Sequence, residues 1–564
     1  GEINASGGSF GTLKTTIKAG SGLLNNRFTV DARVSRIVSD GFIDRASSNL
    51  QSAYLSAAYF TKGAFIRLNY FTGREKTYQS WYGTPESRIS GSVADMQAYI
   101  DRNYLTQPEA ENLLKSGRTY NYYTYANQTD NYAQDHLQLL TNHQLAANWD
   151  LDVNFHYTYG RGYYEEYKPD AEMVNYGVTS IVTANVIRRK WLDNDFYGST
   201  FALNYTGSQK FKFTFGGAWN RYIGRHFGVL VDPLPGVEWY RSRSQKTDLT
   251  LYAKTNVVLS DHWNAYLDLQ YRTVGHVMQG TADKFLVLAN DKSYSFFNPK
   301  FGLTHQISDQ SKVYASVSAG SKEPSRQDFV DNPTAAPRPE YVQDYELGYQ
   351  RSGAKYGFQL NGYFMDYQDQ LVLTGELNDV GSPIRTNSGD SYRIGIELDA
   401  TFQLSEKWVL QPNVTLSQNK NKDFYFTRDG VLQNLGDTNI AYSPNIVAGN
   451  RLGFTPVNHF QISLYSKFVG EQYMANIDSD GSKLESYFVN DLNVSYEFRP
   501  KSIFKAILVS ALVNNIFDLK YVSNGYFYTY DDDYSNPPAI TTIEGAGYYP
   551  QAGINFLAGL TLKF

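Results

Sequence analysis

The chain has 564 residues, with 51 Lys and Arg against 56 Asp and Glu, so its net charge of −5 gives no electrostatic footprint for a nucleic-acid partner. It has no cysteine, which excludes disulfide frameworks and thiolate metal sites. Mean hydropathy is −0.45 and no run of about 18 apolar residues occurs, which excludes a membrane-spanning helix but not a membrane barrel, whose strands alternate.

Along the chain one pattern repeats. In "RFTVDARV", Phe28, Val30, Ala32 and Val34 alternate with Thr29, Asp31 and Arg33. An extended strand there has one aliphatic face and one charged face. Short turns, "LLNNRF" and "FTKGAF", flank the next strands, and a long segment follows over 75–130. Within it Ser92 and Thr106 stand three residues ahead of Asp95 and Glu109. That is capping-box spacing, which predicts short helices over about 93–104 and 107–116. Val93, Met96 and Ile100 share one face of the first helix. These helices either stiffen a loop or form a lid over a binding site.

Further on, "KVYASVSAG" (Val313, Ala315, Val317, Ala319), "FQISLYSKF" (Ile462, Leu464, Phe468) and "NDLNVSYEF" (Leu492, Val494, Tyr496, Phe498) repeat the alternation. Short turns "AANWD", "SDHWN", "ISDQSK", "RSGAKY", "LSEKW" and "RPKSIF" separate such strands. The final "INFLAGLTLKF" carries Phe556, Ala558, Leu560, Leu562 and Phe564 on one face. Every second connection is long and rich in aromatics, as in "TYQSWYGTPES", "YNYYTYANQTDNY" and "YVSNGYFYTYDDDYSNPP". Long loops on alternate connections all emerge at one end. The reading is all-β: a transmembrane antiparallel β-barrel of about 22 strands with short periplasmic turns and long extracellular loops. Aromatic residues make up 15% of the chain, as expected of girdles at two membrane interfaces.

The long loops hold the candidate substrate-binding residues. Tyr78, Trp81, Tyr82, Tyr120, Tyr122, Tyr123, Tyr125, Tyr163, Tyr164, Tyr526, Tyr528 and Tyr530 offer flat apolar faces with a polar handle, suited to gripping a bulky chelate. Loop packing or an interfacial girdle is the plainer use of each. Arg161, in "YGRGYYEEYK", is a cation for an anionic ligand. "GRHFG" adds Arg225 and His226, the most loop-like histidine and the candidate haem ligand, or else an ordinary polar loop residue. "RRK", Arg188 to Lys190, sits where a loop re-enters the membrane, either to meet lipopolysaccharide phosphates or to snorkel. Asp531, Asp532 and Asp533 are the metal candidate, for Ca²⁺, although neighbouring side chains in an extended segment point apart.

Several segments resemble those of the TonB-dependent outer-membrane receptors, in family order. "LVNNIFDLKYVSNG" resembles the Asn-aromatic-Asp/Asn-x-x-Tyr signature before the last extracellular loop, and "GAGYYPQAGINFLAGLTLKF" resembles the final strand. "RVSRIVSDGFIDRASS", "RRKWLDNDFYGSTF", "SKEPSRQDF", "PEYVQDYELGYQ" and "RTNSGDSYRIGIELDATF" are similar to other barrel segments. The resemblance implies that residues 1–564 are the barrel, with the family's N-terminal plug and a signal peptide expected outside this chain. It implies location in the outer membrane of a Gram-negative bacterium, and a terminal Phe read by the assembly machinery. The implied activity is import of a scarce metal chelate, foremost a ferric siderophore, energised through TonB. Cobalamin or haem are the other cargoes implied. The implied partners are TonB through the plug, outer-membrane lipid and lipopolysaccharide, and in some members a surface lipoprotein.

A passive porin-like channel is the alternative from another class, and strand count separates the two. A monomer is expected, because a closed wall leaves no free strand edge. The chain shows no Gly-rich phosphate loop, H-E-x-x-H or nucleophile elbow, so neither an enzyme nor a cofactor is expected.

Overall fold

Each alternating segment can present an apolar face only if something apolar covers it. A computed structural model, describing residues 1–500 and 503–564, shows what the covering is. Antiparallel strands follow one another around a single sheet, from Glu2–Gly8 to Asn555–Lys563. Those two strands pair with each other, Ala5 opposite Leu560, so the sheet closes on itself. The sheet holds 23 strands, of which Thr438–Asn439 is a two-residue stub on Trp408–Asn421; the other 22 form the wall.

Among the described residues no protein segment covers the outer face. Leu347 is 67% exposed, Phe297 58% and Leu560 42%, the reverse of a soluble sandwich. Lipid is the medium that makes such a face favourable. No helix among the described residues is long and apolar enough to cross a membrane.

The dry apolar clusters lie instead in or beside the long connections. Met96, Ile100, Leu113 and Tyr120 form one, and Met474, Ala475, Leu484 and Phe527 another. Connections at one end are short, such as 61–63 and 147–148, whereas 79–128, 369–390, 422–445 and 515–554 lie together at the other. The turn "RPKSIF" includes Lys501 and Ser502, which lie outside the described residues.

The two expected helices are Val93–Arg102 and Gln107–Lys115. The Asp95 backbone N–H donates to Ser92 Oγ at 3.2 Å, and the Glu109 carboxylate accepts from the Thr106 backbone at 2.8 Å and its hydroxyl at 2.7 Å. Met96 and Ile100 are buried, but Val93 is exposed, because the packed face begins a turn later. Two further short helices, Glu86–Ser90 and Arg326–Asp331, are too brief for periodicity to reveal.

The signature before the last connection has a structural reason. Asn515 is buried, its side chain donating to the carbonyls of Leu519 and Ala552 and accepting from the Leu519 N–H at 2.9 Å. It ties the start of the connection to its end.

Candidate functional site

Connections 79–128, 369–390, 470–486 and 515–554 interlock into a roof over the lumen. Thr84 and Tyr548 exchange backbone hydrogen bonds of 2.8 and 2.9 Å. The Tyr526 hydroxyl donates to the Tyr82 carbonyl at 2.8 Å and the Tyr549 hydroxyl to the Trp81 carbonyl at 2.6 Å. Rings fill the space between: Tyr82 stacks on Tyr122 at 4.5 Å, and Trp81 meets Tyr123 at 5.5 Å and Tyr164 at 5.9 Å, edge to face. Burial, then the nearby Glu109, pushes the Tyr122 hydroxyl up to about 12, and burial likewise raises Tyr123 and Tyr526. These roof tyrosines are neutral at physiological pH.

Seven of the aromatic candidates are thus brought together: Trp81, Tyr82, Tyr122, Tyr123, Tyr164, Tyr526 and, stacked on Tyr526 at 6.2 Å, Tyr528. Tyr78 and Tyr120 support them from below. The Tyr78 hydroxyl donates to the Tyr123 and Tyr125 carbonyls, and Tyr120 is buried among the helices. Tyr125 turns away to donate to Glu165 at 2.9 Å, and Tyr530 is exposed.

Tyr164 and four further candidates lie on strands rather than in loops. Arg161 and Tyr163 belong to the strand Trp149–Glu172, and Arg225 and His226 to Phe211–Asp232. By alternation, Arg161, Tyr163 and Arg225 share the outer face with the exposed Tyr157 and Trp219. There Arg225 holds Asp193 and Asp195, each at 2.9 Å, and Arg161 lies 5.0 Å over the Trp191 ring. Of those four, only His226 points inward. The same alternation divides "RRK": Arg189 faces out, paired with Glu165 at 2.7 Å, whereas Arg188 and Lys190 face in and are buried. The last two therefore cannot meet lipopolysaccharide. Asp531, Asp532 and Asp533 do not converge: Asp531 accepts from the Thr542 hydroxyl and Asp532 from the Tyr534 and Ser535 backbone. No group of three residues suited to a metal is found among the described residues.

Beneath the roof a cavity of about 210 Å³ opens between the wall and two inward-folded connections. Tyr164, Lys190, His226 and Tyr240 line it from the wall, Arg326 and Asp331 from the short helix, Asp283 from the connection 282–286, and Asn378 and Asp379 from the hairpin Leu371–Leu377/Pro383–Asn387. Lys190 Nζ lies 2.7 Å from both Asp283 and Asp379. Arg188 holds Glu166 at 2.9 Å and Asp379 at 3.5 Å. Arg326 gives Nη2 to Ser242 at 3.0 Å, has no ion pair among the described residues, and leaves its buried Nε without a partner. Arg326 and Asp379 carry no sequence signal of their own; the nearest local mark is the Ser325/Asp328 capping box that starts the helix of Arg326, which the sequence reading passes over.

The family model described as TonB dependent receptor-like, beta-barrel matches residues 58–516. The chain belongs to that family. The receptor shares its fold with the ferric-catecholate import receptor Fiu from E. coli in closed form, at 14% identity and TM-score 0.71, over 100% of this chain and 81% of Fiu. It also matches the siderophore receptor PiuA from Acinetobacter baumannii, at 12% identity and TM-score 0.73, over 100% and 81%. The copper transporter OprC matches at 14% identity and TM-score 0.73, over 100% and 80%. No curated protein sequence matches the receptor. TonB-dependent receptors are transporters of the Gram-negative outer membrane, not enzymes.

Proposed function

We propose that this receptor imports a metal chelate across the outer membrane, energised through TonB, and that the chelate is a ferric siderophore. The observation that carries the reading is the aromatic roof closed over a polar lumen. Flat rings with hydroxyl handles suit the aryl and hydroxamate groups of such chelates, and a roof built of four separate connections can open by loop movement without disturbing the wall. A passive pore has no use for a closed roof. The related Fiu and PiuA are described as siderophore or ferric-catecholate receptors, which supports iron as the metal. With no free strand edge, the barrel acts as a monomer in lipid.

The test is calorimetric titration of the protein purified from outer membranes with a panel of ferric siderophores, cobalamin and haem. One ferric siderophore bound with nanomolar to low micromolar Kd is the expected result. Silence across the panel together with ion conduction in a planar bilayer would replace this reading with a passive channel.

A further inference from the structure

Charge around the interior cavity is balanced in an unusual way. Four cations, Lys168, Arg188, Lys190 and Arg326, stand against four carboxylates, Glu166, Asp283, Asp331 and Asp379. Glu166 lies on the wall itself, Asp283 on a neighbouring connection and Asp331 on the inward-folded helix. Asp379 sits at the tip of a hairpin in the roof, 189 residues from Lys190 in sequence. Its side chain is still 37% exposed while Arg188 and Lys190 are nearly buried. The carboxylate most free to leave is therefore the one seated on the two most buried cations.

We propose that Arg188, Lys190 and Arg326 form an oxyanion-binding subsite inside the lumen, and that Asp379 is a tethered occupant which an oxyanion group of the cargo displaces. Once Asp379 swings out, four cations face three carboxylates and the excess positive charge is buried, where it attracts an anion strongly. Arg326 adds a guanidinium whose Nε already lacks a partner, so an incoming carboxylate, phosphate or catecholate satisfies a donor that the closed state leaves unused. Cargo entry and roof opening are then one event, because the group that binds the cargo is the group that holds the hairpin down. This subsite rests on the importer reading for its cargo, but its occupancy by a simple oxyanion does not.

The chain lacks cysteine, so two introduced cysteines label cleanly. A nitroxide pair at Val182→Cys, on an exposed rim residue, and Pro383→Cys, on the hairpin, reports the distance between rim and hairpin in the purified protein by double electron–electron resonance. Citrate and inorganic phosphate are the probes. In the parent protein saturating citrate or phosphate shifts the population to a longer distance. Asp379→Asn, which keeps the shape and removes the charge, gives the longer distance without any probe. If the clamp leaves about one molecule in ten open, that change raises the apparent citrate affinity about tenfold. Asp379→Glu retains the closed distance, and Lys190→Gln abolishes the response to both probes. The proposal is overturned if the distance in Asp379→Asn equals that of the parent, or if both bind citrate equally. Heat-modifiable gel mobility confirms that each variant has folded. Failure of chelate import with a positive distance result would reject the cargo and leave the subsite standing.

Discussion

The indole of Trp81 lies against Gly381 at the turn of the roof hairpin, where Gly381 adopts a φ of +75° and a Cβ would meet the Trp81 ring. The first long connection and the hairpin close on each other only because this position has no side chain.

Gly381→Val is accordingly expected to lift the hairpin while leaving the barrel intact. A β-branched residue in the left-handed region costs about 1–2 kcal/mol before any clash is counted. Limited proteolysis within 369–390 should accelerate, with unchanged heat-modifiable mobility of the barrel. Equal cleavage rates in variant and parent would show that the contact does not hold the roof.

Leu560 lies on the outer face between Ala5 and Val509, 42% exposed to lipid, on the strand that closes the wall. Leu560→Arg places a guanidinium in the apolar band at a cost of roughly 2–4 kcal/mol near the midplane. Reduced yield of heat-resistant barrel is the expected result on a semi-native gel. Thr561→Arg, one residue along and facing the lumen, should be tolerated better, although Thr561 accepts a hydrogen bond from Asn4.

The wall was legible because one face of each strand must meet lipid, and parity alone decides which residues do so. Phe28, Val30 and Val34 are exposed on the outer face as their alternation requires. Parity also misled where glycine intervened. "YGRGYY" and "GRHFG" read as loops, yet both lie inside strands, and their glycines make room for rings. The Tyr132 ring lies where a Cβ on Gly160 or Gly162 would stand, the Tyr222 ring does so at Gly224, and Trp239 at Gly228. Glycine beneath a ring from its own or the neighbouring strand is a packing device, and it has the same composition as a turn. The cavity was out of reach for a different reason. Its charges come from five elements, and no local pattern records that Asp379 meets Lys190, 189 residues away.

Arg188 and Glu166 are both nearly buried on the inner wall. Arg188→Leu leaves Glu166 and Asp379 without their shared cation, a loss of about 3–5 kcal/mol for a broken buried pair. The double change Arg188→Leu with Glu166→Leu should recover much of it, since two apolar side chains leave no unpaired charge. Thermal unfolding of the barrel in detergent, followed by circular dichroism, measures both. A double variant as unstable as the single one would show that the pair acts through its shape rather than its charge.

The hairpin clamp has a defined pH dependence. Burial pushes the Asp379 carboxyl up, but Lys190 and then Arg188 outweigh it and hold the carboxyl well below the usual carboxylate range. A lowered carboxylate pKa stabilises the closed state at every pH above the group's ordinary value, about 3.9, and that stabilisation fades only as pH falls through the lowered one. Asp331, on the same short helix as Arg326 and lining the same cavity, runs the other way. Burial raises its carboxyl despite hydrogen bonds from Gln327 and Asn378, so acidification first relieves the cost of its charge. The two signs together predict a roof that stays closed, or tightens slightly, from about pH 8 down to about pH 4 and loosens only in stronger acid. The rim-to-hairpin distance measured across that range should be constant. A shift to the longer distance between pH 8 and pH 5 would mean that a group other than these two carboxylates governs closure.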